Sequence, residues 1–256
     1  MTIWGKIIGS ATGFAFGGPI GVLLGGAAGH AIDKFKTKQK LPEELALKQI
    51  GFTIGVIVLS AKMAKADGKV TESEIKAFKE KINVPDNEIK NVARLWDQAK
   101  KTSDGFEVYA KQISNLLDKN SSVLEELLNL LFIIAEADGK ITNLEKKYLR
   151  EVSNIFGFSE QDFERICSSK LDKYIDPYQT LGVSKDTPLK EIKNKWKALA
   201  MKHHPDILIS QGIPEDIIET NTYRLKEINN AWDLIKNKKY NLNAVSYTHL
   251  RAHETR

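Results

Sequence analysis

The stretch Leu189-Lys-Glu-Ile-Lys-Asn-Lys-Trp-Lys-Ala-Leu-Ala-Met-Lys-His-His-Pro-Asp206 decides the reading of the C-terminal part of this chain. Leu189, Ile192, Trp196, Leu199 and His203 fall within one narrow arc of a helix of period 3.6. Lys190, Lys193 and Lys197 line one flank of that arc, and Lys195 and Lys202 the other. The pattern predicts a helix that buries one stripe and offers a basic surface. Thr187 suits an N-cap and Pro188 the first helical position, whereas Pro205 cannot continue the helix and pushes His204 towards extended geometry. Downstream, Leu225, Ile228, Ala231, Trp232 and Ile235 repeat at three- and four-residue spacing, so a second helix can return antiparallel onto the first. The connection then holds His204 and Asp206 at the tip of a helical hairpin.

Several segments in order resemble a J domain spanning residues 174–240. Asp176-Pro-Tyr-Gln-Thr-Leu-Gly-Val183 is similar to its opening signature, Glu191-Ile-Lys-Asn-Lys-Trp-Lys-Ala-Leu-Ala200 to its second helix, His204-Pro205-Asp206 to its loop, and Lys226-Glu-Ile-Asn-Asn-Ala-Trp232 to its third helix. The resemblance implies a partner, an ATP-hydrolysing chaperone of the DnaK type, whose ATPase such domains stimulate through that loop. It assigns chaperone binding to His204, Pro205 and Asp206, and the basic face of Lys190, Lys193, Lys197 and Lys202 is suited to steering an acidic partner into place. The position after the aspartate, usually basic in the family, is Ile207 here, which weakens the electrostatic part of docking.

At the other end, Ile7 to Ile32 contains no Asp, Glu, Lys or Arg. A helix of that length crosses the roughly 30 Å hydrocarbon core of a bilayer. Residues 7–32 are therefore expected to be a transmembrane helix, after a short N-terminal segment 1–6 and before a basic linker 33–45. Gly9, Gly13, Gly17, Gly21, Gly25 and Gly29 recur at every fourth position, a stripe that lets two backbones approach closely and makes a homodimer through this helix an expectation. Lys34, Lys36, Lys38 and Lys40 follow the span directly, so the positive-inside rule puts the N-terminus in the periplasm and the later domains in the cytoplasm. A cleaved signal peptide ending near Gly29-His30-Ala31 is the competing reading. The apolar stretch is long for it, and the only leading side-chain charge is Lys6.

Between anchor and hairpin the chain repeats itself: Ala64-Lys-Ala-Asp-Gly-Lys-Val-Thr-Glu-Ser-Glu74 is echoed by Ala135-Glu-Ala-Asp-Gly-Lys-Ile-Thr-Asn-Leu-Glu145. Each copy predicts a helix ended by Gly68 or Gly139, then a second helix capped by Thr71 or Thr142 with Glu74 or Glu145 three residues on, the pattern of a capping box. The same residues could form the second half of an EF-hand loop. Positions one and three would then be Met63 and Lys65, or Ile134 and Glu136, so oxygen ligands for calcium are largely missing. The duplicated pattern resembles the TerB-like domain associated with tellurite resistance, expected over residues 46–172. That resemblance implies Asp67, Glu74, Asp138 and Glu145 as a ligand or metal site.

The fold expected is therefore all-α: a transmembrane helix, a helical TerB-like domain with an internal repeat, and a C-terminal J domain. Taken together these parts resemble the membrane-anchored DnaJ-like A family of bacteria. The family implies residence in the inner membrane, action with a DnaK-type chaperone on unfolded or membrane-associated clients, and a link to envelope stress. A membrane scaffold or stress sensor without ATPase stimulation is the alternative, and a calcium-responsive regulator a third. The 256-residue chain carries a net charge of +5, largely from the juxtamembrane lysines and the hairpin helix, and no nucleic-acid signature accompanies it. No nucleophile elbow, Walker loop or HExxH motif is present, so a regulator of another protein's catalysis is expected, with no cofactor of its own. Cys167 is the single cysteine and excludes an intrachain disulfide framework. From residue 241, and above all over Val245 to Arg256, the helical pattern lapses into what reads as a disordered tail or appended sequence.

Overall fold

The computed structural model describes Ile20 and residues 43–66, 72–101, 105–119, 121–171, 176–218 and 223–253. Every regular element among them is helical. The middle domain is built on α1 (Glu43–Ala66), a helix with a largely apolar middle whose Phe52, Ile54, Ile57, Leu59 and Met63 are fully buried. A helix apolar on all sides belongs in a core or a membrane. Glu44–Lys65 is long and apolar enough to cross a bilayer, yet most of its apolar residues are buried against the rest of the domain, so it is a core helix. Helix α1 starts at Glu43, inside the stretch expected to be linker.

Around α1 pack α2 (Glu72–Ile82), α3 (Ile89–Ala99), α4 (Phe106–Leu116), α5 (Ser122–Ala135), α6 (Asn143–Phe156) and α7 (Glu160–Leu171). Their apolar faces are closed by aromatic pairs such as Phe78 with Trp96 and Phe132 with Phe163. The hydroxyl of buried Tyr148 donates to the Leu59 carbonyl at 3.0 Å, so α6 is pinned to α1 by a polar bond inside the apolar core.

The second copy of the repeat folds as its local signals require. Gly139 stands at φ +92° and ends the turn after α5, a conformation glycine adopts without a Cβ penalty. Thr142 caps α6: its Oγ1 accepts from Glu145 N–H at 3.2 Å, while the Glu145 carboxylate accepts from Thr142 N–H at 2.7 Å. This is the expected capping box. In the first copy, α2 begins at Glu72, directly after Thr71.

The C-terminal hairpin consists of α8 (Pro177–Leu181), α9 (Leu189–Lys202), α10 (Pro205–Gln211), α11 (Glu215–Ile218) and α12 (Tyr223–His253). Asp176 caps α8 by accepting from Tyr178 N–H at 3.0 Å. Helix α9 begins at Leu189 with Pro188 as its N-cap, one residue later than expected. Leu189 lines one surface hollow with Lys236 in the middle of α12, and Met201 lines another with Leu225 near its start, so α9 and α12 run antiparallel. Their shared core holds Ile192, Ile228, Trp232 and Ile235, with Tyr178 and Leu181 of α8. The Trp196 and Trp232 rings stack at 5.2 Å, and Trp196 Nε1 donates to Asn229 Oδ1 at 2.9 Å.

The connection from His204 to α12 holds α10 and α11, whose Leu208, Ile213, Ile217 and Ile218 join the core of the middle domain. The backbone of α12 continues to His253, past the point at which the apolar pattern lapses. The expected transmembrane segment 7–32 and its glycine stripe Gly9, Gly13, Gly17, Gly21, Gly25 and Gly29 lie outside the described residues, Ile20 excepted. Ile20 is buried, and Gln112 Oε1 accepts its N–H at 3.1 Å.

Candidate functional site

The site is built at the end of α9. Lys190, Lys193, Lys197 and Lys202 are all exposed on that helix, together with Lys195. Pro205 fixes the chain reversal: His204 is extended at φ −67°, ψ 137°, and Pro205 occupies the first position of α10. His204 is the cap of that helix, its Nδ1 accepting from Asp206 N–H at 3.3 Å. The same nitrogen lies 3.7 Å from Asp206 Oδ2, so a protonated imidazole would pair with the carboxylate. The side chains of His204 and Asp206 are 53% and 85% exposed. The tripeptide thus presents an imidazole and a carboxylate side by side to solvent, on a turn of fixed backbone, next to a lysine face. Ile207 and Met201 add exposed apolar surface beside it. Nothing in this arrangement supplies a nucleophile with its base.

His203, one residue earlier, has the opposite fate. It is 2% exposed, with Nδ1 3.2 Å from Glu126 Oε1 and Nε2 3.6 Å from Glu125 Oε2, both carboxylates being on α5 of the middle domain. Glu125 also meets Arg165 at 3.0 Å and Arg224 of α12 at 3.2 Å. Arg224 in turn donates to the Thr180 carbonyl at 3.0 Å and pairs with Glu227. Burial pushes the Glu125 carboxyl up, but Arg165, His203, Arg224 and Lys202 together outweigh it and hold the group at about 2. Burial dominates at Glu126, whose pKa is raised despite the hydrogen bond from His203. Buried charges of this kind persist only when paired, and here the pairing crosses from the middle domain to the hairpin.

Sequence reading placed His203 on the buried face of α9 and did not find its partners. The signal was present: Glu125 and Glu126 stand side by side in the largely apolar run Val123 to Phe132, and two carboxylates buried there require cations from elsewhere.

Of the four acidic residues of the repeat, the structure describes the side chain of Glu145. Asp67 lies outside the described residues, as do the side chains of Glu74 and Asp138, and the Glu145 carboxylate is committed to capping Thr142. Among the described residues no three His, Cys, Asp or Glu side chains are grouped to hold a metal ion.

An antiparallel hairpin that exposes His-Pro-Asp at the end of a basic helix defines a J-domain protein. Residues 176–241 match the family described as DnaJ domain, residues 53–168 that of the tellurite resistance protein TerB, and residues 1–49 that of the co-chaperone DjlA transmembrane domain. Proteins called co-chaperone protein DjlA align along nearly the whole chain. The one from Photobacterium profundum is 28% identical over 93% of this chain and 99% of its own. That from Coxiella burnetii is 24% identical over 91% and 96%, and that from Legionella pneumophila 23% over 91% and 95%. No solved structure matches. With all three segments present in order, the chain belongs to the DjlA family of J-domain co-chaperones.

Proposed function

We propose that this protein stimulates ATP hydrolysis by a DnaK-type chaperone and recruits it to the cytoplasmic face of the inner membrane. The observation that carries the reading is the exposure of His204 and Asp206 on a rigid turn while His203 and Leu208 on either side are buried. A tripeptide held out in this way is organised for contact with another molecule. Lys190, Lys193, Lys197 and Lys202 steer the acidic surface of that partner, and His204, Pro205 and Asp206 make the contacts that trigger hydrolysis. The N-terminal segment supplies the anchor, with the lysines after residue 33 on the cytoplasmic side. Unfolded or membrane-associated proteins are the clients delivered.

The test is steady-state ATP hydrolysis by the DnaK-type chaperone of the same organism with the full chain in lipid nanodiscs, wild type against His204→Gln. Stimulation by the wild type that disappears in the variant supports the reading. A folded wild-type chain that leaves the rate unchanged contradicts it and favours a scaffold acting through the TerB-like domain.

A further inference from the structure

The segment that carries the tripeptide is fastened at both ends, and neither fastening is made to the hairpin's own core. Before it, His203 is enclosed by Glu125 and Glu126. After it, Leu208 and Ile213 are 2% and 1% exposed within the core of the middle domain. Gly212, at φ +119°, seats the segment on α1, where a Cβ on that residue would lie 2.6 Å from Lys48 Cβ. Ser122 of α5 donates to Gln211 Oε1 at 2.9 Å. Between His203 and Leu208, the residues His204, Asp206 and Ile207 are exposed beside the lysine surface.

We infer that the middle domain is a positioning partner of the J domain, with Glu126 and the Gly212 seat holding the two ends of the tripeptide in the geometry that acts on the chaperone. The inference rests on the co-chaperone reading and gives the TerB-like domain a part in it. The direction follows from exposure. His204, Asp206 and the four lysines remain open while the segment is docked, so docking does not mask the surface. It orders that surface in advance, and the conformational entropy of a short exposed segment is lost on folding instead of on meeting the partner. Positioning of this kind acts on the maximal stimulated rate, whereas the lysine face acts on the concentration needed to reach it.

Glu126→Ala and Gly212→Ala test the two anchors separately in the full chain in nanodiscs, with Glu126→Gln as the conservative control. A glutamine side chain both donates and accepts, so it serves either tautomer of His203. The first two variants are expected to lower the maximal stimulated rate about fivefold with the half-saturating concentration unchanged, and Glu126→Gln to retain the wild-type rate. Hydrogen exchange is expected to quicken at amides 204–212 in both anchor variants and to stay slow around Ile192 and Ile228.

Should Glu126→Ala fail to fold, Gly212→Ala, which leaves the buried charges intact, decides the question. Wild-type maximal rates in the folded anchor variants would overturn the inference, as would unchanged exchange at 204–212. A wild-type chain that does not stimulate at all contradicts the co-chaperone reading instead, and the exchange measurement still reports whether the anchors hold the segment.

Discussion

The buried imidazole of His203 lies 3.2 Å from the Glu126 carboxylate, while His204, the next residue, turns its own imidazole out to solvent. One peptide bond separates a side chain that joins two domains from one placed to meet another protein. The division arises because Pro205 forbids the helix from continuing, which reverses the chain between the two histidines.

The lysine face should govern encounter. Exchanging both Lys193 and Lys197 for glutamate is expected to raise the concentration for half-maximal ATPase stimulation about tenfold at low salt, with a smaller effect at high salt and little change in maximal rate. A titration at two ionic strengths checks this. Equal effects at both would show that the lysines act by something other than charge.

Glu125 should make stability depend on acid pH. A carboxyl held at about 2 in the folded chain, against an ordinary 4.5, contributes stability that is complete above the unfolded value and is lost as pH falls through the folded one. Relative to Glu125→Gln, the wild type is expected to lose about 3 kcal/mol of advantage between pH 5 and pH 2. Urea unfolding of both proteins at a series of pH values measures it, and a difference independent of pH would refute the assignment.

Glu126 should behave in the opposite sense. Its pKa is raised by burial, so the folded chain retains a proton that the unfolded chain releases, and stability falls as pH rises from the ordinary carboxyl range through the raised value. Glu126→Gln, a permanent mimic of the protonated acid, is expected to melt at or above the wild-type temperature at neutral pH. A large drop would mean that the charged form is the one the fold uses.

The two apolar clusters should respond separately to truncation. Ile192 is fully buried in the hairpin core, and Ile192→Ala is expected to cost about 3 kcal/mol there. Hydrogen exchange should quicken across α9 and the facing part of α12 and remain slow in α1, whose Phe52 and Ile57 belong to the other cluster.

The helices were legible in the sequence because local rules govern them. Thr142 and Glu145 announce a cap, Gly139 a stop, and the spacing from Leu189 to Leu199 a buried stripe. What could not be read was where the hairpin docks. Leu208, Ile213, Ile217 and Ile218 look like apolar residues in a long loop until α1 and α5 are placed beneath them, and no local pattern says which distant surface covers them. Glu125 and Glu126 gave notice that a partner was needed, but only folding could show that it was His203 and Arg224. The acidic residues of the repeat show the reverse case, since the local capping role read from Glu145 is the one the structure displays.

The most direct measurement is single-turnover hydrolysis of ATP preloaded on the DnaK-type chaperone, with the full chain in nanodiscs as wild type or Asp206→Asn. The substitution keeps the size of an exposed side chain and removes its charge, so folding should be unaffected. The account predicts a hydrolysis rate at least tenfold above basal with the wild type and near basal with the variant. Equal acceleration by the two proteins would contradict it.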